Sequence, residues 1–392
     1  MDRSRKQELG AGEDTLPVSE MDVELHQEIP LPEQPPRVSE PSIIDDVQAD
    51  VTPRSTTPPP DGLMYLRIHR ANIMEEMIAH FKDPYIILEE IETSFVNERG
   101  IDCDGVSRDA YCSFWEEFFE CASKGEAGRV PVITANWIKE EWKAIGRILL
   151  KGYMDHQYFP LQFSEAFIIG LIHGEEKVSQ EILEKSFLAY LCSSDSNLVK
   201  MALKSDTEPK DNAQLTDFLY SMGCRSIPTQ PRLSTVLLQV AHLELIQRPF
   251  YAMKTMAEAA FNEWADLLPS VQSVLNLYEE KKPTTQKVVK MLQCKVMNEA
   301  QERSLRYIKE FVRSLPQQSL RKFLHFLTGS DTAPTKAIQI IFTKLDGLAR
   351  RPIAHACGPC LELPSTYKNY SDFRKEMEAI LSNTDNFEMS IA

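Results

Sequence analysis

The chain has 392 residues, 43 Lys and Arg against 58 Asp and Glu, and a formal net charge of −15. That length allows roughly two or three folding units, and 43% hydrophobic with 26% charged residues is enough to bury a core. An acidic balance argues against a protein that coats nucleic acid, because gripping phosphates requires a basic face.

Composition changes near residue 61. Residues 1–60 hold ten of the 24 prolines, no aromatic residue, and 13 acidic against 5 basic side chains. Such a segment buries too little apolar surface to offset its chain entropy and is expected to be a disordered, acidic, Pro-rich tail. Within it, Pro30 to Pro36 and Thr57 to Pro60 favour polyproline II, and Thr52-Pro53 and Thr57-Pro58 are candidate phosphorylation steps.

From Asp61 on the pattern is mostly helical. Ile73, Met74, Met77 and Ile78 recur at helical spacing, Phe81 follows, and Pro84 breaks the segment. Phe114, Trp115, Phe118 and Phe119 form a second stripe; Ile145, Ile148, Leu149 and Tyr153 form a third. The best apolar run, Ala166 to Ile172, stops at His173, well short of the ~20 residues that span a bilayer. A run of helices is expected between Ile182 and Tyr278, interrupted at 204–212 and 227–231, and Glu279 to Gln286 reads as a boundary. Near the end, Phe323 to Leu327 is compactly apolar, Ile338 to Phe342 is β-branched and strand-like, and Cys360 to Pro364 alternates briefly. Ser371 is the expected cap of a final helix with Phe373, Met377, Ile380 and Leu381 on one face.

Met1 to Gln7 carries no apolar signal region, and the eight cysteines read as thiols of a reducing compartment rather than a disulfide framework. The expectation is a cytoplasmic protein, with the nucleus also open, and with no nucleic-acid partner and no membrane insertion. Arg3 to Lys6 is too short to stand as a nuclear signal.

The sharpest string is Arg351-Pro-Ile-Ala-His-Ala-Cys-Gly-Pro-Cys360. Cys357 and Cys360 have the spacing of a thioredoxin-like dithiol, but Leu-Glu-Leu-Pro stands where a helix should start. A metal reading has two cysteines and His355, with no second knuckle elsewhere. A structural reading makes both thiols small buried side chains.

A fourth reading uses wider context. His355-Ala-Cys-Gly-Pro-Cys-Leu-Glu-Leu-Pro364 resembles the catalytic loop of HECT-type ubiquitin ligases, which carry Ala-His-Thr-Cys, three variable residues, then Leu-Asp-Leu-Pro. Cys357 falls on the thioester cysteine, with Leu361, Leu363 and Pro364 in register and Phe387 near the end. Arg321 to Pro334 is similar to the family's Leu-Leu-x-Phe-x-Thr-Gly segment, and Ser94 to Tyr111 to its Phe-x-x-Glu-x-Gly-x-Asp-x-Gly-Gly-x-x-Arg-Glu stretch. Leu66 to Arg70 and Ile145 to Arg147 also sit where the family's first lobe has them. The resemblance covers about 62–180 and 298–392.

What the resemblance implies is an α+β, bilobal HECT-like domain behind the tail. A larger, mainly helical N-lobe would occupy 61–285, a hinge 286–297, and a small α+β C-lobe 298–392. A ubiquitin-conjugating enzyme would dock on the first lobe, pass ubiquitin to Cys357 as a thioester, and a lysine of a protein substrate would receive it. His355 would orient the loop or simply pack. Thr328 and Gly329 would support it, as would Leu361, Leu363 and Pro364. No cofactor or metal is implied. Glu98, Asp102, Gly105 and Arg108 are expected as lobe architecture, and Asp385 and Glu388 are candidates for deprotonating the lysine. Cys360 is a candidate redox partner that would block the thioester by a disulfide with Cys357.

The sequence departs from the family in four places. Ala356 replaces a threonine, Cys103 to Asp104 replaces part of the family's Asp-x-Gly-Gly turn so that only Gly105 is kept, and Thr335 to Ala337 replaces a glycine-containing turn. Residues 182–280 do not align with the part that grips the conjugating enzyme. The alternative reading is therefore a catalytically degenerate, HECT-derived protein acting by interaction alone.

Overall fold

A computed structural model describes residues 63–98 and 104–382; the tail at 1–60 lies outside them, as do Asp102, Asp385, Phe387 and Glu388. Strand β1 (Leu63–Ile68) pairs in parallel with β2 (Glu90–Phe95), Leu66 opposite Thr93. The crossover between them carries α1 (Ile73–Phe81), whose buried stripe is the one read from the sequence, and Pro84 starts a single 3₁₀ turn after it. Next come α2 (Gly105–Ala122) and a short hairpin of β3 (Ser123–Gly125) and β4 (Arg129–Pro131). Two helices follow, α3 (Lys139–His156) and α4 (Glu165–His173). Phe114, Trp115, Phe118 and Phe119 of α2 are sealed from solvent, and Trp115 and Phe119 pack edge-to-face on Phe163.

The expected helical run continues as α5 (Gln180–Tyr190), α6 (Ser193–Lys204), α7 (Ala213–Ser221) and α8 (Gln230–His242). It ends with α9 (Phe250–Glu258), α10 (Phe261–Leu267) and α11 (Val271–Lys281). Pro231, read as part of an interruption, instead lies in the first turn of α8, where its missing N–H has no partner to lose. Buried residues from Leu66 to Tyr278 form one hydrophobic cluster.

The remaining elements are α12 (Thr285–Met291), β5 (Leu292–Gln293), α13 (Glu299–Ser314), α14 (Gln317–Thr328), β6 (Ile338–Thr343), β7 (Ile353–His355), β8 (Cys360–Pro364) and α15 (Tyr370–Ser382). The sheet order is β5-β6-β8-β7, parallel except for the antiparallel β7–β8 hairpin. A second hydrophobic cluster runs from Val288 to Leu381 around this sheet.

Three expectations shift. Residues 286–297, read as a hinge, hold α12 and β5, and Val288 and Leu292 are buried in the second cluster; the stretch between helices narrows to 282–284. Phe323 to Leu327 belongs to α14 rather than to a segment of its own. The final helix is capped by Asn369, whose Oδ1 accepts the Asp372 amide at 2.9 Å, while Ser371 lies inside the first turn. No helix among the described residues is long and apolar enough to cross a membrane.

Candidate functional site around Cys357

The β7–β8 hairpin builds the site. His355 pairs with Cys360 across it, so Ala356 to Pro359 form the tight turn that lifts Cys357 out of the sheet. The Pro359 carbonyl accepts the Gln339 amide at 2.9 Å, tying the turn to β6. Leu361 and Leu363 alternate inward and are fully buried, and the Pro364 carbonyl accepts the Ser304 hydroxyl at 3.0 Å. The result is an exposed Cys357 thiol on a turn with anchored flanks.

His355 Nε2 meets Glu362 Oε1 at 3.1 Å across the hairpin. That contact orients the ring along β8. Cys357 and Cys360 are both free thiols, and Cys360, half-buried, is pushed up by burial and then by the Glu362 charge.

Thr328 and Gly329 lie in the neighbouring turn. Thr328 donates its hydroxyl to the Leu324 carbonyl at 2.9 Å and accepts the Ser330 amide at 3.2 Å. Gly329 caps α14 in the left-handed region at φ 69°. A Cβ there would stand 2.5 Å from the Gly105 carbonyl, so both conformation and contact call for glycine.

Residues of α2 bring the first cluster against this loop. The Arg108 guanidinium donates from Nε to the Thr328 carbonyl at 2.8 Å and from Nη2 to the Ala356 carbonyl at 2.5 Å. Gly105 packs so closely that a Cβ would lie 3.0 Å from Ala356 and from the Cys357 amide nitrogen. Arg108 and Gly105, read as architecture of the first lobe, therefore touch the cysteine turn itself. Glu98 keeps the architectural role, receiving Arg70 Nε at 2.7 Å and Nη2 at 3.0 Å.

Beneath these contacts lies a polar junction that the sequence does not display. His325 on α14 meets Asp109 Oδ1 on α2 at 2.7 Å, and Arg70 donates to Asp109 Oδ2 at 2.7 Å. Burial alone would push the Asp109 carboxyl up, but the His325 hydrogen bond and charge, with the Arg70 charge, hold it at about 2. Burial likewise opposes the His325 charge, yet Asp109 more than offsets it and raises the imidazole above its usual value. Arg321 pairs with Asp331, which also accepts the Tyr158 hydroxyl at 3.4 Å. The Ala333 amide donates to the Lys281 carbonyl at 2.8 Å. Buried charges persist only when paired in this way.

Cys112, Glu116 and His325 bring metal-ligating atom types within 4.8 Å of one another. Cys112 Sγ stands 4.0 Å from Glu116 Oε1, and burial pushes the thiol well up, towards its neutral form. With His325 committed to Asp109, the group belongs to the junction. His355, Cys357 and Cys360 are not part of it.

Cys357 opens on a cleft of about 160 Å³. Asp104, Arg108, Asp155, His156, Lys281 and Lys336 are among the residues that line it. The model of the HECT-domain (ubiquitin-transferase) family matches residues 266–390, which include α14, the hairpin and Cys357. Over this stretch the chain is similar to HECT-domain proteins. The match leaves 62–180 outside, and no curated protein matches the chain.

Proposed function

We propose that the protein is a HECT-type ubiquitin ligase that carries ubiquitin on Cys357 as a thioester. The observation that carries the reading is the exposed Cys357 thiol on an anchored turn, inside the matched stretch. The Cys357 thiolate attacks the thioester carbonyl of ubiquitin held by a conjugating enzyme. A new C–S bond forms, the old one breaks, and the enzyme's cysteine leaves as a thiolate that takes up a proton. This exchange of one thioester for another is nearly balanced in energy and needs no cofactor, and a thiol is nucleophilic near neutral pH. The amine of a substrate lysine then takes the acyl group as an amide and returns Cys357 to the thiol. Because Cys357 serves two partners in turn, the two clusters act as lobes that part at the junction and pivot near 282–284. The chemistry suits a reducing compartment such as the cytoplasm.

A loading assay with a panel of conjugating enzymes tests this. The expected result is a ubiquitin adduct on non-reducing gels that dithiol releases and Cys357→Ala abolishes. Retained partner binding without any adduct would favour the interaction-only reading. Cys360 extends the proposal as a brake: a Cys357–Cys360 disulfide would leave no nucleophile. Mild oxidation then blocks loading of the wild type and spares Cys360→Ser; equal sensitivity of both proteins would end the idea.

A further inference from the structure

Asp109, Cys112 and Glu116 follow one another at spacings of three and four, so α2 presents all three on one face. His325 meets that face from α14. The Cys112 thiol, the Glu116 carboxylate and a His325 ring nitrogen lie within 4.8 Å of one another, with Sγ 4.0 Å from Oε1. A tetrahedral ion with bonds of ~2.0–2.3 Å holds its ligand atoms ~3.3–3.6 Å apart. A closing movement of about 1 Å, open to the exposed Glu116 side chain, completes such a set.

The neighbouring groups are of the kind that steady metal ligands. Asp109 Oδ1 meets His325 Nε2 at 2.7 Å, and a carboxylate on one ring nitrogen orients an imidazole whose other nitrogen binds a metal. The Asp331 amide donates to Cys112 Sγ, a bond that favours the thiolate. Burial first, and then the charges of Asp331, Glu116 and Asp109, hold that thiol neutral. Two positive charges on an ion reverse the balance, and the thiol proton leaves for water as the sulfur–metal bond forms.

From this cluster we propose that Cys112, Glu116 and His325 bind a zinc ion that clamps α2 to α14. One thiolate, one imidazole and one carboxylate form a borderline-soft donor set. It suits Zn²⁺ better than Mg²⁺ or Ca²⁺, which prefer oxygen alone, and leaves a fourth position to water. The exposed Glu116 gives the ion its way in, and the fully buried Cys112 holds it. Cys112 belongs to the first hydrophobic cluster, and α14 packs in the second, so a single ion ties the two together across the junction. Binding stands apart from the thioester reading; its consequence rests on that reading. Lobes held together at the junction cannot swing Cys357 between partners, so zinc slows the uptake of ubiquitin.

The test uses the full chain, stripped with a chelator, kept reduced by a phosphine, and dialysed against Zn²⁺ or Co²⁺. The double variant Cys357→Ala, Cys360→Ser removes the hairpin thiols and leaves the junction whole, whereas Glu116→Gln and Cys112→Ser alter the junction alone. The expected result is one zinc per chain in the double variant, and a thiolate-to-cobalt charge-transfer band that Cys112→Ser abolishes. Glu116→Gln, at an exposed position, keeps the fold and binds zinc at least about 10-fold more weakly. Zinc raises hydrogen-exchange protection of α2 and α14 together in the wild type and not in Glu116→Gln. With zinc at roughly 10 to 100 times its Kd, the parted form is depleted about 10- to 100-fold. Transfer from a precharged conjugating enzyme to Cys357 slows to match in the wild type and is undisturbed in Glu116→Gln, the carrier being the same in both arms. Zinc held equally by both junction variants, or lost from the double variant, would overturn the site. Zinc bound at the junction with transfer unslowed would remove the clamp. A wild type that binds zinc there, yet takes up no ubiquitin without it, would sink the thioester reading and leave the site standing.

Discussion

The two hydrophobic clusters are built on different terms. The first, from Leu66 to Tyr278, is a large helical assembly with a two-stranded parallel pair and a small hairpin. The second, from Val288 to Leu381, wraps helices around a four-stranded sheet and presents Cys357 on a tight turn. The family match falls mostly on the second. Chemistry constrains that part residue by residue, whereas packing constrains the helices of 182–280 only by size and polarity. The same sequence thus holds a cysteine turn written in a legible motif and a helical stretch at 182–280 written in no motif at all.

If the clusters are separate cores, a cavity in one should spare the other. Leu361 is fully buried in the second, and Leu361→Ala is expected to cost about 2–5 kcal/mol. All four tryptophans, Trp115, Trp137, Trp142 and Trp264, belong to or pack against the first, so their fluorescence reports on it alone. Far-UV unfolding should split, with its smaller part, from α12–α15, moving below an unshifted tryptophan transition; a shared shift of both signals would mean a single core.

The junction couples the two, and its strength should follow pH. The folded His325 value lies above 6.5, so its contribution is complete below pH 6.5 and lost as pH rises through the raised value. The Asp109 value is lowered from 3.8 to about 2, so its share is complete above pH 3.8 and lost as pH falls towards 2. Hydrogen-exchange protection of α14 and α2 should therefore be highest between those limits. His325→Ala should cost about 1–3 kcal/mol and flatten the alkaline loss, while an unchanged pH profile would remove the ion pair from the account.

The smallest effect concerns α15. Asn369→Ala removes its cap and should cost about 1 kcal/mol, read as a small fall in the far-UV midpoint. Ser371→Ala should do less, and the reverse order would restore Ser371 as the cap.

Much of the second cluster was legible. The strand at Ile338, the turn at Cys357 and the alternation of Leu361 and Leu363 follow from residue types that chemistry and pleat demand. The first cluster was legible as helices, because spacing tells which face is buried, but not against what. The junction was hidden because Asp109 and His325 stand 216 residues apart; the signals were a lone histidine in the apolar run Phe323 to Leu327 and an aspartate on the face of α2. Arg108 was visible in a motif, but its two carbonyl partners exist only once the chain has folded.

The central claim is that the Cys357 sulfur accepts an activated acyl group. Mapping the attachment site by peptide mass after brief incubation with ubiquitin, ATP, activating enzyme and a set of conjugating enzymes tests it most directly. The expected result is a thioester on Cys357, sensitive to hydroxylamine and missing from Cys357→Ala. A well-folded protein that carries no acyl group on Cys357 with any carrier would contradict it.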